Sequence, residues 1–250
     1  MNSRRKFLIQ GSLATTAVLA LKPFTAIARV TSPFTVLNNS NGKLVLLHTA
    51  NVNSYSKNKA IQYIKEIKNK NANAILLKAG QDVQDETGQL AFDVSIPGSN
   101  DHSAISGDYK IINKGNLRTG IISAMPGESD IIHKINTLSA YLKKEKNCAI
   151  VVCLSRLGYK NKNTPDDITL ADQSTHLDII IGGHAKNFQK NPVIALNSNK
   201  GEVIIHSASG HPFACGFIQI DFDKQGRKKH ISFTDPSSKN ITPYRAMPAA

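Results

Sequence analysis

Four short runs limit the possible folds of this chain more than any other feature. "KLVLLHT", "AILLKAG", "CAIVVCLS" and "LDIIIGG" are almost wholly apolar and stop at polar residues or glycine. A strand with one face in water alternates apolar and polar residues, whereas a strand covered on both faces does not. The four runs are therefore expected to be interior strands. Segments of helical period lie between them. "NKAIQYIKEIKNK" puts Ile61, Ile64 and Ile67 on one face, and "IIHKINTLSAYLKK" does the same with Ile131, Ile135, Leu138 and Leu142. "DDITLADQ" predicts a short helix ahead of the fourth run. "DYKIINKGNLRTGIISA" predicts two strands joined around Lys114-Gly115, and "EVIIHSAS", "CGFIQIDFD" and "KKHISFTD" predict a β-rich end. Strand–helix alternation followed by strands indicates an α/β domain with more than one sheet.

The N-terminus has a different character. "SRRKFL" precedes an apolar segment from Ile9 to Leu21 and then "KPFTAIA", the order of a secretory leader of the twin-arginine type, with cleavage after Ala28. Gly11, Ser12, Thr15 and Thr16 interrupt the apolar segment, which falls short of the ~20 residues a membrane span needs. Residues 1–28 are thus expected to direct export to the periplasm or another extracytoplasmic space, with no membrane association after their removal. The domain is expected over 29–236. Residues 237–250, "SSKNITPYRAMPAA", carry no pattern and are expected to be a loosely ordered tail. The formal net charge of +13 falls to about +9 once Arg4, Arg5, Lys6 and Lys22 leave with the leader. Such a surface favours anionic partners. Many of its lysines sit in Asn/Lys-rich loops, and no basic stripe interleaved with aromatics points to specific nucleic-acid binding. No motif identifies a protein partner. Cys148 and Cys153 flank "AIVV". Five apart on one strand they would point to opposite faces and could not bridge, so these two and Cys215 are expected to be buried free thiols.

Open α/β sheets gather their chemistry where strands end at their carboxyl edges. The polar residues at four such ends, "LHTANVN", "KAGQD", "CLSRLGY" and "IGGHAKN", together with "GSND" inside "FDVSIPGSNDHS" and the closing "HSASGHPFACGFIQIDFD", resemble the metallophosphatase (calcineurin-like phosphoesterase) domain of the bacterial 5′-nucleotidase family. The order matches over most of the chain: H-T-N-D-x-H, G-D, G-N-H-[ED], S-H-L-G, G-G-H-x-H. The resemblance implies a four-layer α/β/β/α sandwich with two mixed β-sheets. It also implies two divalent metals (Mn, Zn or Fe) that clamp a phosphate and activate water.

Carried over position by position, the resemblance predicts that the metal site is lost. The first aspartate is Asn51 and the histidine two residues on is Asn53. The bridging aspartate is Gln81. The ligand asparagine is Ser99 and the catalytic histidine beside it is Asn100. The histidine of S-H-L-G is Arg156, and of the last two histidines the first remains as His184 while the second is Lys186. No carboxylate is left among the seven ligand positions, neutral amides bind divalent metals poorly, and Arg156 and Lys186 repel cations. Asp82, Asp85, Asp101 and His102 stand beside the lost positions. A one-residue slip that brought Asp82 inward would turn its neighbours outward. His48, His206 and His211 have no ligand spacing. The separate substrate-recognition domain of 5′-nucleotidases is not expected in this chain.

Two divalent metals with two aspartate ligands carry a net charge of about +2. Asn51 and Gln81 remove the acids, and Arg156 and Lys186 restore about the same charge without metal. Arg156 and Lys186, with Asn51, Asn53, Ser99 and Asn100 around them, are therefore expected either to bind phosphate or another small anion without hydrolysis, or to fill former metal volume and pair with Asp82 or Asp101. No cofactor is expected. The alternative is an active metal-dependent phosphoesterase with a rearranged site.

Overall fold

The computed structural model describes residues 42–49, 57–71, 73–80, 90–96, 104–161, 164–183, 192–207, 215–224, 226–234 and 241–244. Residues 1–28, expected to be a leader, lie outside the described residues. Twelve strands are described: β1 Lys43–Thr49, β2 Ala74–Lys78, β3 Val94–Ser95, β4 Tyr109–Lys114, β5 Leu117–Ala124, β6 Ile150–Ser155, β7 Ile179–Gly182, β8 Val193–Leu196, β9 Glu202–Ser207, β10 Cys215–Phe222, β11 Lys228–Thr234 and β12 Ile241–Tyr244. With them go three helices: α1 Lys57–Lys70, α2 Ile131–Lys144 and α3 Asp167–Gln173. Among the described residues, no helix is long and apolar enough to cross a membrane.

The strands form two six-stranded sheets. The first has the order β12-β11-β10-β1-β2-β3 and the second β4-β5-β6-β7-β9-β8. Both are mixed. β1 runs parallel to β2 and antiparallel to β10, while β5, β6, β7 and β9 are mutually parallel between antiparallel β4 and β8.

Alternation assigns each face. Val45 and Leu47 of β1, Ala74 and Leu76 of β2, and Cys215 and Phe217 of β10 pack with Ile64 of α1. Val151 and Cys153 of β6, Ile180 of β7, and Val203 and Ile205 of β9 pack with Ile131, Ile135 and Leu142 of α2 and Leu170 of α3. The intervening residues must point the other way, and Leu44, Leu46, Ile75, Leu77, Val152, Leu154, Ile179, Ile181, Ile218 and Ile220 are all fully buried there. The sheets therefore face one another across an apolar layer and carry helices outside, giving the four layers α/β/β/α. This explains why the four opening runs have no polar alternation.

Local chemistry accounts for the boundaries. Gly115 takes φ 58° in the two-residue turn between β4 and β5, the first-position glycine that suits a type II′ hairpin. Asp166 caps α3, its carboxylate accepting from Thr169 N at 2.7 Å.

Two expectations need correction. Residues 237–250 are not all a patternless tail, because Ile241–Tyr244 pairs antiparallel with β11; Pro243 is tolerated because β12 is an edge strand. Cys148 and Cys153 do not face opposite ways. Cys148 stands ahead of β6, where alternation does not apply, and both thiols enter the same core. In α2 the expected Ile131, Ile135, Leu138 and Leu142 all pack on that core, Leu138 partly buried, with Ser139 fully buried among them. All three cysteines are free and buried, as expected.

Candidate functional site

The carboxyl ends of the parallel strands meet at one edge of the sandwich. A Cβ on Gly183, just after β7, would lie 1.9 Å from the carbonyl oxygen of Ala79, just after β2. Only glycine allows the two sheets to approach so closely at that point. Backbone bonds tie the neighbouring ends: Ala79 N donates to Thr49 O at 2.9 Å, Gly183 N to Ser155 O at 2.7 Å and Arg156 N to Ala124 O at 2.9 Å. Gly80 and Gly183 are the last described residues before Gln81 and His184.

Of the seven positions at which the resemblance implies metal ligands, Arg156 lies among the described residues. It is the first residue after β6 and is partly buried. Asn51, Asn53, Gln81, Ser99, Asn100, His184 and Lys186 lie outside the described residues, as do Asp82, Asp85, Asp101, His102 and His211. Arg156 sits at the apex of a turn held by side chains. The Ser155 hydroxyl accepts from Leu157 N at 3.1 Å and donates to Asp167 Oδ1 on α3. Asp167 N in turn donates to Gly158 O at 2.8 Å. Asn161 N donates to Asp166 Oδ2 at 2.7 Å. Asp167 itself is only 3% exposed. Burial pushes its carboxyl up to about 7, the Ser155 bond opposing that rise and Asp166 adding to it. A Cβ on Gly182 would stand 3.0 Å from Asp167 Oδ2, so the carboxyl bears on the ends of both β6 and β7.

Two histidines without ligand spacing in the sequence meet here. His48, next to last in β1, and His206, next to last in β9, are joined across the apolar layer by a hydrogen bond of 2.7 Å between His48 Nε2 and His206 Nδ1. The rings stand at 89° to one another. His48 Nδ1 has no hydrogen-bond partner among the described residues. We assign the donor as His48 Nε2, which leaves a lone pair unpaired instead of a buried N–H. Burial first, and His206 second, hold the His48 pKa well below its ordinary value. Period-2 alternation could have put each imidazole in the inner layer; the meeting of strands 158 residues apart could not be read from it. Asp167 and Asp178 were also missed, because an acid beside an apolar run looks like an ordinary loop residue.

At the sequence level no family model matches the chain, and no curated protein matches it. Solved structures do resemble it in shape. The NAD nucleotidase NadN of Haemophilus influenzae superposes with a TM-score of 0.58 at 16% identity, covering 82% of this chain and 50% of that one. The 5′-nucleotidase precursor of Thermus thermophilus gives 0.56 at 15% identity, covering 82% and 54%. The calcineurin-like phosphoesterase YfkN of Bacillus subtilis gives 0.53 at 15% identity, covering 83% and 94%. This chain therefore spans about half the length of the first two structures. With its two mixed sheets, outer helices and converging strand ends, the chain has the fold of a metallophosphatase domain, the calcineurin-like phosphoesterase architecture of the bacterial 5′-nucleotidases.

Proposed function

We propose that this is an exported protein of metallophosphatase fold that binds phosphate or a similar small anion at the strand-end edge and does not hydrolyse phosphate esters. The observation that supports this most directly is Arg156. A guanidinium stands on a braced turn after β6, at the position where the resemblance implies a metal-binding histidine. The donor set does not fit a pair of divalent cations: it lacks a carboxylate, and Arg156 is itself a cation that cannot coordinate one. No hydrolytic step through metal is derived.

Arg156 offers a planar fork that matches two oxygens of a tetrahedral anion. Lys186 adds a mobile charge, and Asn51, Ser99 and Asn100 supply neutral donors in the same reading. In this reading the exchanged positions supply neither an activated water nor a general acid, so binding ends in release. Nucleotide specificity is not implied, since the resemblance covers only about half of each nucleotidase.

Calorimetric titration of the mature protein with phosphate and sulfate tests the reading. We expect saturable binding that weakens about tenfold or more in Arg156→Ala, the loss of a charge-assisted contact. We also expect no release of nitrophenol from a nitrophenyl phosphate in the presence of manganese. Stoichiometric manganese, zinc or iron in the purified protein, together with ester turnover, would overturn it.

A further inference from the structure

Buried groups of Ser155, Leu157, Gly158, Asp167 and Gly182 converge under the Arg156 turn, and the arrangement has a clear hierarchy. Arg156 has the backbone of Ser155 on one side and that of Leu157 on the other. The Ser155 hydroxyl spans them by accepting from Leu157 N at 3.1 Å, a local side-chain turn that fixes the direction in which residue 156 projects. A free serine hydroxyl rotates among three wells. Here it is held in one, because its proton goes to Asp167 Oδ1. Asp167 is anchored in turn. It opens α3, its N–H donates to Gly158 O at 2.8 Å on the far side of the same turn, and its second carboxyl oxygen abuts Gly182 at the end of β7.

We propose that Asp167 is the positioning residue for Arg156: through Ser155 it sets the angle at which the guanidinium meets a bound anion. It touches no ligand itself. This inference rests on the anion-binding reading above and assigns the part that gives it geometry. The requirement is for an acceptor at Oδ1, not for charge, so asparagine in the same rotamer suffices and alanine does not.

The experiment is sulfate titration, sulfate having no protonation step in the working range, on wild type, Asp167→Asn, Asp167→Ala and Ser155→Ala. The titrations are run well below each variant's melting temperature, with circular dichroism to confirm the fold. We expect Asp167→Asn to bind as wild type does and both alanine variants to bind about fivefold or more weakly, the worth of one hydrogen bond. Ser155→Ala carries the test if Asp167→Ala fails to fold. Alanine variants that bind sulfate like wild type, or an Asp167→Asn variant as weak as Asp167→Ala, would sink the positioning role while leaving anion binding intact. Absence of sulfate and phosphate binding in wild type would instead remove the anion-binding reading, and this inference with it.

Discussion

The buried carboxylate of Asp178 gathers three partners. The residue precedes β7, and its carboxylate takes Lys143 Nζ of α2 at 2.6 Å, Lys228 Nζ of β11 at 2.8 Å and Val151 N at 2.8 Å. Burial alone would raise its pKa, but the two ammonium groups beside it bring it down to about 2. One acid thus ties a helix and a strand of the opposite sheet to the start of β7. Removing it would leave two lysines without this partner at a site where Asp178 is only 6% exposed. Asp178→Ala should cost about 3 kcal/mol of unfolding free energy, read from the urea midpoint at neutral pH; a change under ~1 kcal/mol would show that the pair is replaceable by water. Nothing in "THLDIII" marks this acid, because Lys228 lies 50 residues away on the other sheet.

Gly216 decides how the elements at the site edge can pack. It lies in β10 under the paired imidazoles, and a Cβ there would come within 2.3 Å of His48 Nε2 and 2.8 Å of His206 Cε1. Gly216→Ala should therefore destabilise by about 2 kcal/mol through overpacking. The Gly216→Ala/His48→Ala double variant should lose less stability than the sum of the two single costs, because the truncated histidine leaves room for the methyl. Thermal melts of the four proteins measure this; strict additivity would refute the crowding argument. The elements themselves were largely legible. Unbroken apolar runs marked β1, β2, β6 and β7, and the isoleucine spacing marked α1 and α2. What the sequence concealed were short edge pieces: β3, β8 and β12 hold two to four residues each, too few for a period to register. The sequence offers the site as a set of exchanged positions, of which Arg156 lies among the described residues. The site's supports were not legible, since the grip of Asp167 on Ser155 and the pairing of His48 with His206 arise only from packing.

The response of the whole molecule to pH should be the resultant of opposing titrations. The Asp167 carboxyl is raised to about 7 in the fold and ionises near 4 when unfolded. Its stabilisation is complete below about pH 4 and disappears as pH rises through about 7. His48 is depressed, so its contribution is present above about pH 6.5 and is lost as pH falls through its folded value. Asp178 adds a term present above about pH 4 and lost toward pH 2. Between about pH 4 and 6.5 the first two pull against each other. Urea midpoints at pH 4.5, 6 and 8 should therefore rise more steeply with pH in Asp167→Asn than in wild type, and an unchanged profile would exclude ionisation of a buried Asp167.

The chain begins the first sheet, leaves it to build the whole of the second, and returns only at Cys215 to add β10 on the open side of β1. Until that return, Lys43–Thr49 offers a bare ladder of amide and carbonyl groups on a strand with almost no charge to deter a stranger. A polypeptide interrupted before Cys215 leaves that ladder to water or to a strand borrowed from another molecule. The late homecoming of β10 thus leaves a truncated chain open to pairing with its neighbours.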